Sequence, residues 1–167
     1  MDDKPRNPKE SLFSKGGYWI TFGYGLLITL TTVFAFIMIP IVEYGCTSIE
    51  AIAELFDKNK DVLAQSQTAA FCVLSLSELF HMLGMTSLKK SFVHNFWSKN
   101  WLLWVSFVVG VALQVAVVNI PGLNTFFSCY PLDIAHWGII IALSVAPLIV
   151  HEIVALILFI KRKASRE

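Results

Sequence analysis

Residues 18–42 read YWITFGYGLLITLTTVFAFIMIPIV, and no charged side chain interrupts them. A hydrocarbon core of about 30 Å needs roughly 20 helical residues, and backbone within lipid must bond to itself because no water is present. Three further stretches satisfy the same requirement, at about 67–88, 101–120 and 137–160. No charge falls between Lys15 and Glu43 or between Lys99 and Asp133. Of the 167 residues, 56% are apolar and 15% charged, whereas a soluble domain usually carries about 25% charge to cover a wet surface. The expected fold is all-α and integral to a membrane. Residues 1–167 form one membrane domain of four transmembrane helices in an antiparallel bundle.

Basic residues give the expected orientation. Lys and Arg number four before Gly16, two in the 43–66 loop, three in the 89–100 loop, none in 121–136 and four after Ile160. Eleven of the thirteen fall on one side if both termini are cytoplasmic, which the positive-inside rule favours. Tyr18, Trp19, Trp97, Trp101, Trp104 and Trp137 stand near the span limits, where amphipathic rings favour the headgroup region. In the first outer loop, Thr47 and Glu50 fit a capping box ahead of Ile52, Leu55 and Phe56, so a short interfacial helix is expected there. Pro40 and Pro121 sit at span ends, while Pro147 lies inside the fourth span and predicts a kink. The net charge of +1 does not call for nucleic acid. Cys46, Cys72 and Cys129 have no paired spacing, so neither a zinc site nor a disulfide framework is indicated. The mixed-charge start and the long apolar run after it do not resemble a secretory signal.

Polar residues within the spans carry the functional information. Glu78 lies near the middle of the second span, where a carboxylate is costly and usually faces the bundle interior or a water-filled path. Ser75, Glu78 and His81 recur at steps of three, on one side of a helix. Such an oxygen-rich stripe suits a hard cation or a proton, with Glu78 the candidate metal ligand and Ser75 and His81 weaker ones. The alternative for Glu78 is a protonated side chain bonded to a neighbouring helix. Glu152 in the fourth span suggests a structural pairing, and Gln114 in the third an interhelical hydrogen bond. His94 and His136 read as loop residues carrying little information. Glu78 and His81 match half of a di-iron motif whose other half is missing. His151-Glu152 opens like a zinc-protease signature, but Ala155 stands where the second histidine must be. There is no phosphate-cradling glycine loop and no nucleophile–base pair, and Asp57-Lys58-Asn59-Lys60 is not a phosphorylation sequence. Neither ATP hydrolysis by this chain alone nor a cofactor of its own is expected.

Three segments together resemble a known family. Lys4-Pro5-Arg6-Asn7-Pro8-Lys9-Glu10-Ser11-Leu12-Phe13 resembles the cytoplasmic segment before the seventh membrane helix of P-type calcium pumps, especially bacterial ones. Gln67-Thr68-Ala69-Ala70-Phe71, continuing through Ser77-Glu78-Leu79-Phe80-His81, is similar to their eighth helix. Pro131-Leu132 followed by Trp137 is similar to the entry into the tenth. The resemblance implies the C-terminal membrane region of a cation-transporting ATPase, its seventh to tenth helices, in a bacterial plasma membrane. The sarcoplasmic-reticulum branch of the family has a calcium-binding Glu at the position of Glu78. Sodium pumps have Gln there and an Asp one turn later, where this sequence has His81, so the resemblance favours calcium. Other branches have Gln at the Glu78 position and bind fewer calcium ions.

The family's first six helices and its actuator, phosphorylation and nucleotide domains have no counterpart in this sequence. The expected role is therefore a module that supports the transport helices of a pump and contributes one carboxylate to its ion site. Calcium binding is expected only together with the missing helices, because the ion takes six to eight oxygen ligands. Expected partners are the lipid bilayer and the rest of the pump, or further copies of the chain. A different class of reading is a stand-alone four-helix membrane protein that binds or regulates a pump. A small channel or exchanger fits less well, since no span shows a continuous polar stripe.

Overall fold

The charge-free runs all become helices in the computed structural model, which describes residues 17–85 and 101–164. In chain order these are α1 (Gly17–Tyr44), α2 (Ile49–Lys58), α3 (Lys60–Met85), α4 (Trp101–Asn119), α5 (Leu123–Phe126), α6 (Ile134–Ser144) and α7 (Ala146–Ala164). No strand occurs among the described residues. The segment 4–13, the end of the second expected span at 86–88, and the 89–100 loop with His94 and Trp97 lie outside the described residues.

The expected short helix in the first loop is α2, but its cap differs from the expectation. Ser48, not Thr47, has the extended backbone of an N-cap, and its Oγ accepts a hydrogen bond from Ala51 N at 3.2 Å. Both hydroxyl residues precede Glu50, but α2 starts at Ile49, which puts Ser48 at the cap. Asn59 ends α2 by donating its N–H to Leu55 O, and α3 starts at the next residue.

Helix α3 is the centre of the fold and packs against α1, α2, α4, α6 and α7. Its buried residues Val62, Ser66, Ala69, Val73, Leu76 and Ser77 follow steps of three and four, with Cys72 and Leu83 on the same side. On α1, the facing stripe is Tyr24, Ile28, Ala35, Met38 and Ile39. Lipid tails are as apolar as these side chains, so helix association in a membrane rests on close van der Waals packing. The fully buried Ala35, Ala69, Cys72, Ser66 and Ser77 are small enough to permit it.

Contacts along the helices fix their relative directions. Tyr24 near the start of α1 meets His151 in α7, while Glu43 near its end meets His136 at the start of α6. The α1 helix and the α6–α7 pair therefore run oppositely. Likewise α3 and α4 run oppositely, because Cys72 meets Gln114 while Phe80 meets Phe107. The break between α6 and α7 falls at Val145, two residues before Pro147, whose ring nitrogen has no hydrogen to offer Leu143 O. Ser144 Oγ bonds to Ile140 O at 2.7 Å in the same turn.

Three described stretches are long and apolar enough to cross a membrane: Tyr18–Tyr44, Trp101–Asn119 and Ile134–Ile157. The outward faces of these helices are apolar, as at Leu30 and Val33 on α1, Leu102 and Val108 on α4, and Ile153 and Leu156 on α7. Helix α3 is not among the three. It carries Gln65, Ser66, Gln67, Thr68, Ser75, Ser77, Glu78 and His81, and the neighbouring helices cover part of that polar surface.

Two glycines of this packing respond differently to a methyl group. A Cβ on Gly84 would lie 3.1 Å from His151 Cγ and 3.3 Å from its Cβ, atoms at the root of a side chain that cannot swing away. A Cβ on Gly110 would lie 2.9 Å from the two Leu79 methyl carbons, which rotate freely at the end of theirs. Helical Gly→Ala gains about 1 kcal/mol in propensity, against about 1–3 kcal/mol lost to overpacking where neighbours cannot yield. Gly84→Ala is expected to destabilise the detergent-solubilised chain by up to about 2 kcal/mol, and Gly110→Ala to stabilise it by up to ~1 kcal/mol. Reversible unfolding followed by circular dichroism checks the order, and the opposite order would contradict the α3–α7 contact.

Candidate functional site

Glu78 stands on the side of α3 that the other helices leave uncovered. Gln67, Phe71, Leu74, Glu78 and Met82 are all exposed, and their spacing of four, three, four and four makes them one stripe. Glu78 is the single ionisable group in that stripe, with Leu74 and Phe71 one and two turns before it and Met82 one turn after. Ser75 and His81 are half-buried on its flank. The His81 ring turns toward α1 and packs on Tyr24, with ring centroids 4.5 Å apart and planes inclined by 43°. The three residues expected on one stripe thus divide: Glu78 outward, His81 toward α1. Among the described residues, no group of three or more His, Cys, Asp or Glu side chains is assembled to hold a metal ion.

Behind Glu78 the polar side chains face inward. Tyr24 Oη and His151 Nδ1 are 3.4 Å apart across α1 and α7, a long hydrogen bond. His151 is buried and lies over Gly84, where the absent side chain makes room for its ring. Its neighbour Glu152 is half-buried on α7. Gln114 is buried on α4, and its Nε2 donates to Cys72 Sγ at 3.4 Å. The sequence reading gave His151 no role beyond a failed zinc motif. A signal for it existed in the spacing of Ile140, Ser144, Pro147, His151 and Ala155, which form the buried stripe of α6 and α7.

The reading of His136 as an uninformative loop residue is corrected. Helix α6 begins at Ile134, so His136 lies in its first turn, and its side chain is 11% exposed. Its Nε2 is 2.7 Å from Glu43 Oε1 at the end of α1, and its Nδ1 is 2.6 Å from Asp133 Oδ1. Asp133 is the N-cap of α6 and accepts the His136 backbone N–H at 2.8 Å. That backbone bond, more than the adjacent ring, holds the Asp133 carboxyl below the usual carboxylate range. The aspartate three residues before His136 was a readable cap signal; the Glu43 contact, between distant parts of the chain, was not.

The family model described as "Cation transporting ATPase, C-terminus" matches residues 1–157. The chain belongs to that family. It is 38% identical over 157 residues to "Calcium-transporting ATPase 1" of Bacillus cereus, covering 93% of this chain and 17% of that protein. It is 27% identical to "Calcium-transporting ATPase" of Bacillus subtilis, over 88% of this chain and 15% of that protein. It is also 27% identical to "Cation-transporting ATPase pma1" of Synechocystis, over 93% of this chain and 16% of that protein. The chain therefore spans about a sixth of the length of these bacterial relatives. Membership of this family and the apolar helix faces identify an integral membrane protein.

The uncovered stripe of this ATPase C-terminal domain is testable by labelling. With Cys46, Cys72 and Cys129 replaced by alanine, a cysteine introduced by Glu78→Cys or Leu74→Cys is expected to react with N-ethylmaleimide at least about tenfold faster than one at Ser77. Ser77 is fully buried, whereas Leu74 is 44% exposed. Equal rates in detergent would show that α3 presents a different face.

Proposed function

We propose that this chain is the membrane support module of a P-type calcium pump, and that Glu78 supplies one carboxylate to an ion site completed by helices outside it. The observation that carries this reading is the exposed position of Glu78 on α3, among Phe71, Leu74 and Met82. A carboxylate facing lipid is costly, so such a stripe calls for a protein partner. Calcium takes six to eight oxygens, and a carboxylate from this side would be one of them. The family match and the two calcium-transporting relatives from Bacillus support calcium as the cargo.

In this reading α1, α3, α4 and the α6–α7 pair are four spans with both termini cytoplasmic in a bacterial plasma membrane. The second of them, α3, is made tolerable in lipid by the helices around it. Phosphorylation and ATP hydrolysis belong to the rest of the pump. Ser75 and His81 flank the carboxylate, while Gln114 and Glu152 hold helices together.

The test is a chimaera in which this chain replaces the aligned segment of the Bacillus cereus protein, assayed for ATP-driven calcium uptake in inverted vesicles. Losing one charged ligand removes about 1.5 kcal/mol or more, which corresponds to roughly tenfold in affinity. Glu78→Gln is therefore expected to raise the calcium concentration for half-maximal uptake about tenfold or more, and Glu152→Gln to leave it nearly unchanged. Unaltered calcium dependence in the Glu78→Gln chimaera would remove Glu78 from the ion site.

A further inference from the structure

We propose that the connection from α4 to α6 is a lipid anchor, in which Leu123, Phe126 and Phe127 enter the headgroup–acyl boundary of the bilayer and hold that end of the fold at a fixed depth. The inference does not rest on Glu78, on the transported ion or on which side of the membrane the termini lie.

The connection is apolar where it is exposed. No charged side chain falls between Lys99 and Asp133. Phe126 is 81% exposed, and Leu123 and Phe127 are exposed beside it. The two phenyl rings meet edge to face, with centroids 5.1 Å apart and planes inclined by 77°, so they form one surface. That surface continues the outward face of α4. Val109, Leu113 and Ile120 are exposed at steps of four and seven, and Asn124 N bonds back to Ile120 O at 3.1 Å. The lipid-facing side of a span therefore runs on into the loop. Helix α2, in the first loop, differs: it turns Leu55 and Phe56 onto the core, with Phe56 5.2 Å from Phe36.

The backbone of the connection is closed on itself. Phe126 N donates to Gly122 O at 3.0 Å, Phe127 N to Leu123 O at 2.9 Å and Cys129 N to Asn124 O at 2.8 Å. Ser128 N donates to Thr125 O at 3.2 Å, and Tyr130 N to Thr68 Oγ1 at 2.8 Å. Water would satisfy such amides in an ordinary loop, but close to hydrocarbon an amide without a partner is costly. The chain folds back through Gly122 at φ 94° and Ser128 at φ 55°, the latter a conformation that serine rarely adopts. Asn119, Asn124, Thr125 and Ser128 interleave with the apolar residues, a mixture that suits the headgroup region and not the bilayer centre. Because the segment carries no charge, its contact with lipid needs no anionic headgroup.

The experiment places nitroxide labels in a background lacking the native cysteines. Collisions with oxygen, which collects in lipid, are compared with collisions with a nickel chelate, which stays in water. The full chain is measured in phosphatidylcholine nanodiscs, and again within the Bacillus cereus chimaera, where the rest of the pump competes for the same surface. Labels at Phe126→Cys and Leu123→Cys are expected to lie about 5–10 Å into the headgroup–acyl boundary in both settings. A label at Asp57→Cys, where the side chain is 87% exposed on α2, is expected to lie in water. Phe126→Asn should move the Leu123 label toward water, and Phe126→Leu should not, which separates anchoring from folding of the loop. Adding phosphatidylglycerol should leave both depths unchanged. Nickel contact at position 126 as strong as at position 57 would put the loop in water. Shielding from both agents in the chimaera would assign the surface to the rest of the pump. Either result overturns the proposal, as does a depth that follows the anionic lipid or ignores Phe126→Asn.

Discussion

The arrangement depends on how closely α1 can approach α3. Helix α1 is apolar on every side, so its own sequence offers no preferred face. The choice is made by α3, where Ser66, Ala69, Cys72 and Ser77 form a shallow, fully covered surface. Ala35 of α1 is likewise fully buried, between larger buried residues at Ile28 and Ile39. Packing of this kind accumulates many small dispersion contacts, each forfeited if the helices separate by an ångström. A large residue in the middle of either stripe would therefore cost more than its own fit. It would hold apart the pair on which α6 and α7 also rest.

The central helix is also the most polar, the reverse of a soluble bundle. In water a helix with this many hydroxyl and amide groups would face solvent; here covering helices remove them from an apolar surround. Thr68 shows how that is made tolerable. Its Oγ1 donates to Ala64 O and accepts the backbone N–H of Tyr130, both at 2.8 Å, so one hydroxyl satisfies itself and pins the loop before α6. Gln114 extends the same logic to α4. Gln67 and Glu78 differ: the helices of this chain leave both on the uncovered side.

Much of the helical outline was legible because long charge-free runs admit few structures. What was lost depended on single residues or on tertiary choice. Thr47 and Ser48 are both good caps, and nothing local in the sequence distinguishes them; the chain uses Ser48. Glu78 was legible as unusual, since a carboxylate at mid-run has no bland surface role, but its direction was not. Steps of three placed Ser75, Glu78 and His81 together, whereas packing against Tyr24 drew His81 inward. His136 was misread because the fourth run was started at Trp137, three residues late, and a three-residue error moves a side chain from a helix to a loop. Its contact with Glu43 depends on how α1 and α6 cross, which no local pattern encodes.

The two polar contacts between α1 and the α6–α7 pair bear on the break at Val145. Tyr24 meets His151 and Glu43 meets His136, so the contacts are nineteen residues apart on α1 and fifteen apart on its partner. At 1.5 Å per residue these are roughly 28 Å and 22 Å for straight helices. Two rigid parallel rods cannot satisfy both spacings without some 6 Å of side-chain reach. A bend in the shorter rod only shortens its span, so side-chain reach has to supply the difference, through the long Tyr24 and His151 pair at one end and Glu43 with His136 at the other. The break at Val145, where Pro147 removes a backbone bond, lies between the two contacts and serves the direction of the helices, not their spacing. The length of the tie is thus set by side chains and its angle by the proline, with the apolar stripe of α1 left to pack on α3 in between.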